Sequence, residues 1–98
     1  MAKYLILGGG GVFANQTSKF LLEQNSTKKV IAVGRNPRLP QCYSLNVGKG
    51  NKKYEYFQIH MVFELDRLLH LIDQVKPDFI INFAAIAYAT SWQGSHRY

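Results

Sequence analysis

The sequence predicts an α/β fold, a parallel sheet with helices on its faces. Three observations predict it. Short apolar runs alternate with longer stretches whose apolar positions recur at helical spacing. Four consecutive glycines, at 8–11, stand between the first apolar run and the first helical pattern. Lys76-Pro77-Asp78 separates the clearest helical pattern from the last apolar run.

Residues 3–7 are a short apolar run ending in glycine, the pattern of a buried strand. The glycines at 8–11 make a turn, because glycine weakens both helix and strand and admits positive φ. Residues 12–24 are expected to form a helix, with Val12, Phe13, Phe20, Leu21 and Leu22 as apolar positions and Lys19, Glu23 and Gln24 as the polar face. Asn25-Ser26-Thr27 ends it. Residues 29–33 are a second strand, closed by Gly34. Residues 36–53 hold Pro37, Pro40, Gly48 and Gly50 and read as a long excursion with one weak helical turn. Residues 54–59 are a third strand. Residues 63–75 are the clearest helix, with Leu65, Leu68, Leu69, Ile72 and Val75 on one face and Asp66, Arg67, His70, Asp73 and Gln74 on the other. Pro77 cannot continue a helix. Residues 79–83 are a fourth buried strand, followed by a loop of small residues. Right-handed crossovers then give the strand order 3-2-1-4, with a ligand crevice between strands 1 and 4.

Composition narrows the function classes. A chain of 98 residues is one domain at most. Its apolar share of 47% is that of a folded protein. The single cysteine, Cys42, has no intramolecular partner, which favours a reducing compartment. The N-terminal apolar run is too short for a secretory signal, and no run reaches the ~18 residues of a membrane helix. The expectation is a cytoplasmic protein without membrane contact. The net charge is +6, and seven of the twelve basic residues lie between Glu23 and Glu55, where no acid occurs. Such a block attracts anions.

Gly8, Gly11 and Ala14 fit the spacing G-x-x-G-x-x-G/A between a strand and a helix. The first glycine permits the tight turn and the second lets backbone approach a pyrophosphate. The third small residue lets helix and strand pack closely. The helix N-terminus offers unpaired N–H groups to phosphate oxygens. At the end of the second strand an NAD site places a carboxylate for the ribose diol. This chain has Arg35-Asn36-Pro37-Arg38 instead. A guanidinium suits a 2′-phosphate, so NADP is expected over NAD, with Arg35 first and Arg38 second as ligands.

Three segments together resemble the extended short-chain dehydrogenase/reductase family, the NAD(P)-dependent epimerases and dehydratases of nucleotide sugars. Leu7-Gly8-Gly9-Gly10-Gly11-Val12-Phe13-Ala14 is similar to its T-G-x-x-G-x-x-G loop, with Leu7 in place of threonine. Val75-Lys76-Pro77-Asp78 and the following strand to Asn82-Phe83-Ala84-Ala85 are similar to its K-P-D and N-x-A-A motifs. Arg35-Asn36 resembles the NADP-dependent members, the GDP-mannose 4,6-dehydratase subfamily in particular, whose Ser-Phe tail is matched by Ser91-Trp92. The resemblance covers nearly the whole chain and implies the N-terminal part of an NAD(P)-binding Rossmann domain over residues 1–98. It also implies roles. Gly8, Gly11, Val12 and Phe13 contact the pyrophosphate through backbone. Arg35 and Asn36 hold the 2′-phosphate. Phe83, Ala84 and Ala85 line the cofactor ribose. Met61 and Val62 stand where the family has Asp-Ile or Asp-Leu beside the adenine. Methionine cannot accept a hydrogen bond from the adenine amino group as a carboxylate does, a departure that bears on affinity. Ala87-Tyr88 replaces the frequent Ser-His after the small residues.

The family's general base is the tyrosine of a Tyr-x-x-x-Lys pair. No tyrosine here has a lysine four places on. The expectation is therefore a fragment that binds NADP(H), has no catalytic residue of its own, and meets a nucleotide-sugar substrate only within a complete enzyme. The alternative is a non-catalytic nucleotide-binding or protein-interaction module. Nucleic-acid binding is weaker, because only Tyr43 interleaves the basic stretch. His60, His70, His96 and Cys42 lack metal spacing. His60 and His70 are expected as ordinary strand-end and solvated helix residues. The free edge of strand 4 is expected to drive self-association.

Overall fold

The structure is a computed structural model and describes residues 1–48 and 51–84. Its elements follow in the order β1 (Ala2–Leu7), α1 (Val12–Leu22), β2 (Thr27–Gly34), α2 (Gln41–Asn46), β3 (Tyr54–Gln58), α3 (Leu65–Val75) and β4 (Phe79–Asn82). The four strands are parallel and lie in the order β3-β2-β1-β4. This is the α/β, Rossmann-like half domain expected from the alternation of elements.

Register fixes what faces what. Leu5 lies between Ile31 of β2 and Ile80 of β4, and Ile6 lies between Ala32 and Ile81. Strand alternation then divides the core in two. Leu5, Ile31, Val33 and Ile59 pack with Leu68 of α3 on one face. Ile6 and Val30 pack with Ala14 and Leu21 of α1 on the other. Each fully buried aliphatic side chain contributes roughly 1.5–3 kcal/mol. Burial on both faces is why β1 and β2 read as continuous apolar runs rather than alternating ones.

The Lys76-Pro77-Asp78 junction has a structural purpose. Lys76 takes the left-handed conformation, φ 51°, and ends α3 with its N–H on the Ile72 carbonyl at 2.8 Å. Asp78 then ties β4 to β1. Its carboxylate accepts the Lys3 N–H at 2.8 Å, and its own N–H donates to the Lys3 carbonyl at 2.9 Å. The Lys3 ammonium donates to the Val75 carbonyl at 3.1 Å, which caps the last turn of α3.

Several expectations need correction. The inner face of α1 is Ala14, Asn15, Ser18 and Leu21, whereas Val12, Phe13 and Phe20 are 55%, 75% and 61% exposed. Small residues win because the helix lies close to the sheet. The polar members are satisfied: Ser18 donates to the Ala14 carbonyl at 2.8 Å. Asn15 donates to the Tyr43 carbonyl at 3.1 Å and accepts from Asn46 at 2.7 Å, which fastens α2 onto α1. Thr27 opens β2 rather than closing α1. On α3 the packed face is Leu68, Leu71, Ile72 and Val75, and Leu65 and Leu69 are exposed. That helix begins at Leu65 because residues 60–64 close a turn of their own. The weak helical turn of the excursion is α2. β4 is not buried: Phe79 and Ile80 are exposed, and β1 is its sole strand partner among the described residues.

Candidate functional site

The turn after β1 shows two kinds of glycine. Gly8 has φ +79°, and a Cβ there would stand 2.7 Å from the Ala84 nitrogen. Gly9 donates to the Val33 carbonyl at 2.7 Å, and a Cβ on it would meet the Ala32 Cβ at 2.5 Å. These two are required by packing between β1, β2 and the end of β4. Gly11 differs. It is the extended N-cap of α1, φ −91° and ψ 167°, and among the described residues a Cβ on it would meet nothing nearer than the Gly8 carbonyl oxygen at 3.7 Å. Its carbonyl accepts the Asn15 N–H at 3.0 Å. The N–H groups of Val12, Phe13 and Ala14 precede the first intrahelical bond and make no hydrogen bond among the described residues. Gly11 therefore opens a space bordered by free donors and the positive end of the helix. Ala14, the third small residue, is 1% exposed against the sheet.

The end of β2 is clamped from β3 by three successive carbonyls. The Ile59 N–H donates to Gly34 O at 2.9 Å, the Gln58 amide to Arg35 O at 3.1 Å, and the Tyr56 hydroxyl to Asn36 O at 2.9 Å. Arg35, Asn36 and Arg38 are exposed, and neither arginine forms an ion pair among the described residues. Tyr56 was not a sequence candidate. A Cβ on Gly34 would collide with its hydroxyl. A Cβ on Gly10 would lie 3.5 Å from the Asn36 side-chain nitrogen and 3.7 Å from the Tyr56 hydroxyl. Tyr56 thus joins the glycine turn to the arginine loop. Burial raises its pKa above the ordinary phenol value. The only sequence signal was the Tyr-x-Tyr alternation of β3, which fixes a face but not the reach of the side chain.

Of the remaining candidates, Met61 is half-buried and packs against the Leu5–Leu68 cluster, and Val62 is exposed. Phe83 packs on the Ile6 cluster, and Ala84 abuts Gly8. Ala85 and Ser91-Trp92 lie outside the described residues. His60 organises the approach to α3. Its N–H donates to Glu64 Oε1 at 2.8 Å, its Nδ1 accepts the Phe63 N–H at 3.2 Å, and Arg67 reaches Glu64 Oε2 at 2.5 Å. The His60 N–H and then Arg67 hold the Glu64 carboxyl below its ordinary value. His70 is exposed and lines an open groove of about 570 Å³ beside Phe57, Asp66 and Arg67. Among the described residues no three His, Cys, Asp or Glu side chains gather as a metal site, and no helix is long and apolar enough to cross a membrane.

The basic stretch is divided. Arg35 and Arg38 follow the C-terminal end of β2, whereas Lys28, Lys29, Lys52 and Lys53 lie at the N-terminal ends of β2 and β3. Lys29 is paired with Glu55.

No family profile matches the sequence, and no curated protein does. Among solved structures, the chain is similar to a dTDP-glucose 4,6-dehydratase from Bacillus anthracis, a structure in complex with NAD. The TM-score is 0.68 at 20% identity, over 85% of this chain and 26% of the dehydratase. What the two share is the fold, and this chain spans about a quarter of the dehydratase's length.

Proposed function

We propose that this chain is the cofactor-binding N-terminal part of an extended short-chain dehydrogenase/reductase, of the nucleotide-sugar epimerase/dehydratase kind, and that it binds NADP(H) in the cytoplasm. One observation carries the reading. The glycine turn after β1 is pressed against the end of β4, and the open side at Gly11 borders three N–H groups without a partner among the described residues. That is an anion cradle at the switch point of a 3-2-1-4 sheet, where such sheets bind ligands. The residues fit a dinucleotide. A side chain at Gly11 would fill space next to the free donors, and the exposed Arg35 and Arg38 stand where an NAD site has a carboxylate.

In this reading Gly8, Gly11, Val12 and Phe13 hold the pyrophosphate, and Arg35, Asn36 and Arg38 hold the 2′-phosphate. Met61 and Val62 flank the adenine, and Phe83, Ala84 and Ala85 flank the ribose. The likeness to a dehydratase in complex with NAD supports a dinucleotide in general. The arginines favour the phosphorylated form. Without a Tyr-x-x-x-Lys pair, the chain binds without turnover, and a sugar nucleotide engages only a complete enzyme.

A thermal-shift titration with NADPH and NADH tests this. A ligand at 100 times its Kd stabilises the folded state by about 2.7 kcal/mol. The expected result is a larger rise in Tm with NADPH than with NADH. A cooperative melt moved by neither would overturn the dinucleotide reading.

A further inference from the structure

We propose that Tyr56 is a positioning residue that sets the preference for the 2′-phosphorylated dinucleotide, by holding the arginine loop in the geometry in which it meets the cofactor. The proposal rests on the dinucleotide reading above and adds to it a residue on a different strand.

The argument starts from the clamp. A loop of exposed residues after a strand ordinarily loses conformational freedom only when a ligand arrives. Here three consecutive carbonyls, Gly34, Arg35 and Asn36, are already engaged by the Ile59 N–H, the Gln58 amide and the Tyr56 hydroxyl. The backbone beneath Arg35 is fixed while its guanidinium has no ion-pair partner among the described residues. The three bonds are not equivalent. The first is main chain to main chain, and the second comes from an exposed side chain. Tyr56 is half-buried on β3, and its hydroxyl is confined by Gly34. Glycine at 34 is required for that placement, because any Cβ would collide with the hydroxyl. The Asn36 side-chain nitrogen and the Tyr56 hydroxyl both lie beside Gly10, 3.5 and 3.7 Å from where a Cβ would stand. Tyr56 therefore sets the loop relative to the phosphate-binding turn. Phosphate on the ribose 2′ position is the part of a dinucleotide that meets Arg35 and Arg38, so loosening the loop weakens NADPH far more than NADH.

The test is Tyr56→Phe in the full chain, with two readouts. The first is amide hydrogen exchange across residues 34–38 without ligand. The second is the Kd for NADPH and for NADH. The proposal expects faster exchange in the loop, about a fivefold loss of NADPH affinity, the worth of one hydrogen bond, and less than a twofold loss for NADH. Unchanged exchange, or equal losses for the two cofactors, overturns the proposal and leaves the dinucleotide reading standing. A wild-type chain that binds neither cofactor overturns both, even if Tyr56→Phe loosens the loop. A second variant, Gly34→Ala, displaces the hydroxyl without deleting it; its Cβ also stands 3.2 Å from the Gly10 nitrogen, so both affinities are expected to fall, that for NADPH further. An NADPH-to-NADH ratio left as in the wild type counts against the proposal.

Discussion

Replacing Gly8 and Gly11 separately by alanine separates packing from ligand binding within one turn. At Gly8 an alanine must adopt φ +79°, a left-handed conformation that costs about 1 kcal/mol or more for a residue with a Cβ. The new Cβ also stands 2.7 Å from the Ala84 nitrogen, and the obstructing atoms are backbone, which cannot rotate aside. Separating β1 from the end of β4 adds an overpacking cost of about 1–3 kcal/mol. The sum, about 2–4 kcal/mol, is a large share of the roughly 5–15 kcal/mol available to a domain of this size. At Gly11 the backbone is extended, the nearest atom to a new Cβ is 3.7 Å away, and alanine fits. Losing glycine at an N-cap costs some tenths of a kcal/mol, which the reduced freedom of the unfolded chain offsets. Urea titration followed by circular dichroism reads both. Gly8→Ala is expected to shift the midpoint strongly and Gly11→Ala by less than about 0.5 kcal/mol equivalent. Gly11→Ala is nonetheless expected to weaken NADPH about tenfold or more, since the Cβ intrudes between phosphate and the free N–H groups. Equal destabilisation by the two, or a Gly8→Ala protein as stable as the wild type, would refute the division of roles.

Tyr54 has a buried hydroxyl without a hydrogen-bond partner among the described residues, and burial, then the charge of Tyr56, pushes its pKa up to about 12. The folded state thus holds the proton more tightly than the unfolded one. Its contribution is complete below about pH 10 and is lost as pH rises towards 12, about 1–2 kcal/mol after allowance for solvent screening. Urea midpoints between pH 9 and 11.5 should fall less steeply in Tyr54→Phe, which at pH 7 should be as stable as the wild type or more so. A loss above about 1.5 kcal/mol at pH 7 would mean that the hydroxyl has a partner. Asn15→Ala removes both ties from α1 to α2 and should cost about 1–3 kcal/mol, with proteolysis appearing first around residues 41–46; uniform loss of protection would contradict a local tie. The outer edge of β4 has no strand partner among the described residues, and Ile80 is exposed beside it. Sedimentation at about 100 μM should show self-association that Ile80→Lys reduces, and a wild-type monomer would count against it.

The strands and their order were legible because each rule involved is local. Apolar runs at 3–7 and 29–33 are bounded by glycine, and right-handed crossovers leave one order for four such strands. Glycine at 8 was legible for the same reason, since a turn with positive φ admits little else. The inner face of α1 was not. Hydrophobicity points Phe13 and Phe20 inward, but the spacing between helix and sheet admits Ala14 and Ser18, and Asn15 is buried because α2 supplies its partners. That spacing is tertiary and leaves no trace in periodicity. Tyr56 was illegible on similar grounds. Its role depends on the empty Cα of Gly34, twenty-two residues earlier in the chain and paired with β3 only through the register.

The basic stretch makes the same point for charge. In sequence, the residues from Lys28 to Lys53 form one acid-free block. In space, β2 runs through the block and separates it. Lys28 and Arg35 are seven residues apart along an extended chain, roughly 23 Å at ~3.3 Å per residue. That distance exceeds twice the ~8 Å screening length at physiological salt, so the two groups are electrostatically independent of each other. Lys29 is already committed to Glu55, whereas Arg35 and Arg38, at the end of the sheet that carries the glycine turn, have no ion-pair partner among the described residues. A run of like charge is a surface only if the chain that carries it turns back on itself. Here it crosses the sheet, and what lies at the end with the glycine turn is the arginine loop, whose carbonyls at Arg35 and Asn36 are held by Gln58 and Tyr56 of β3.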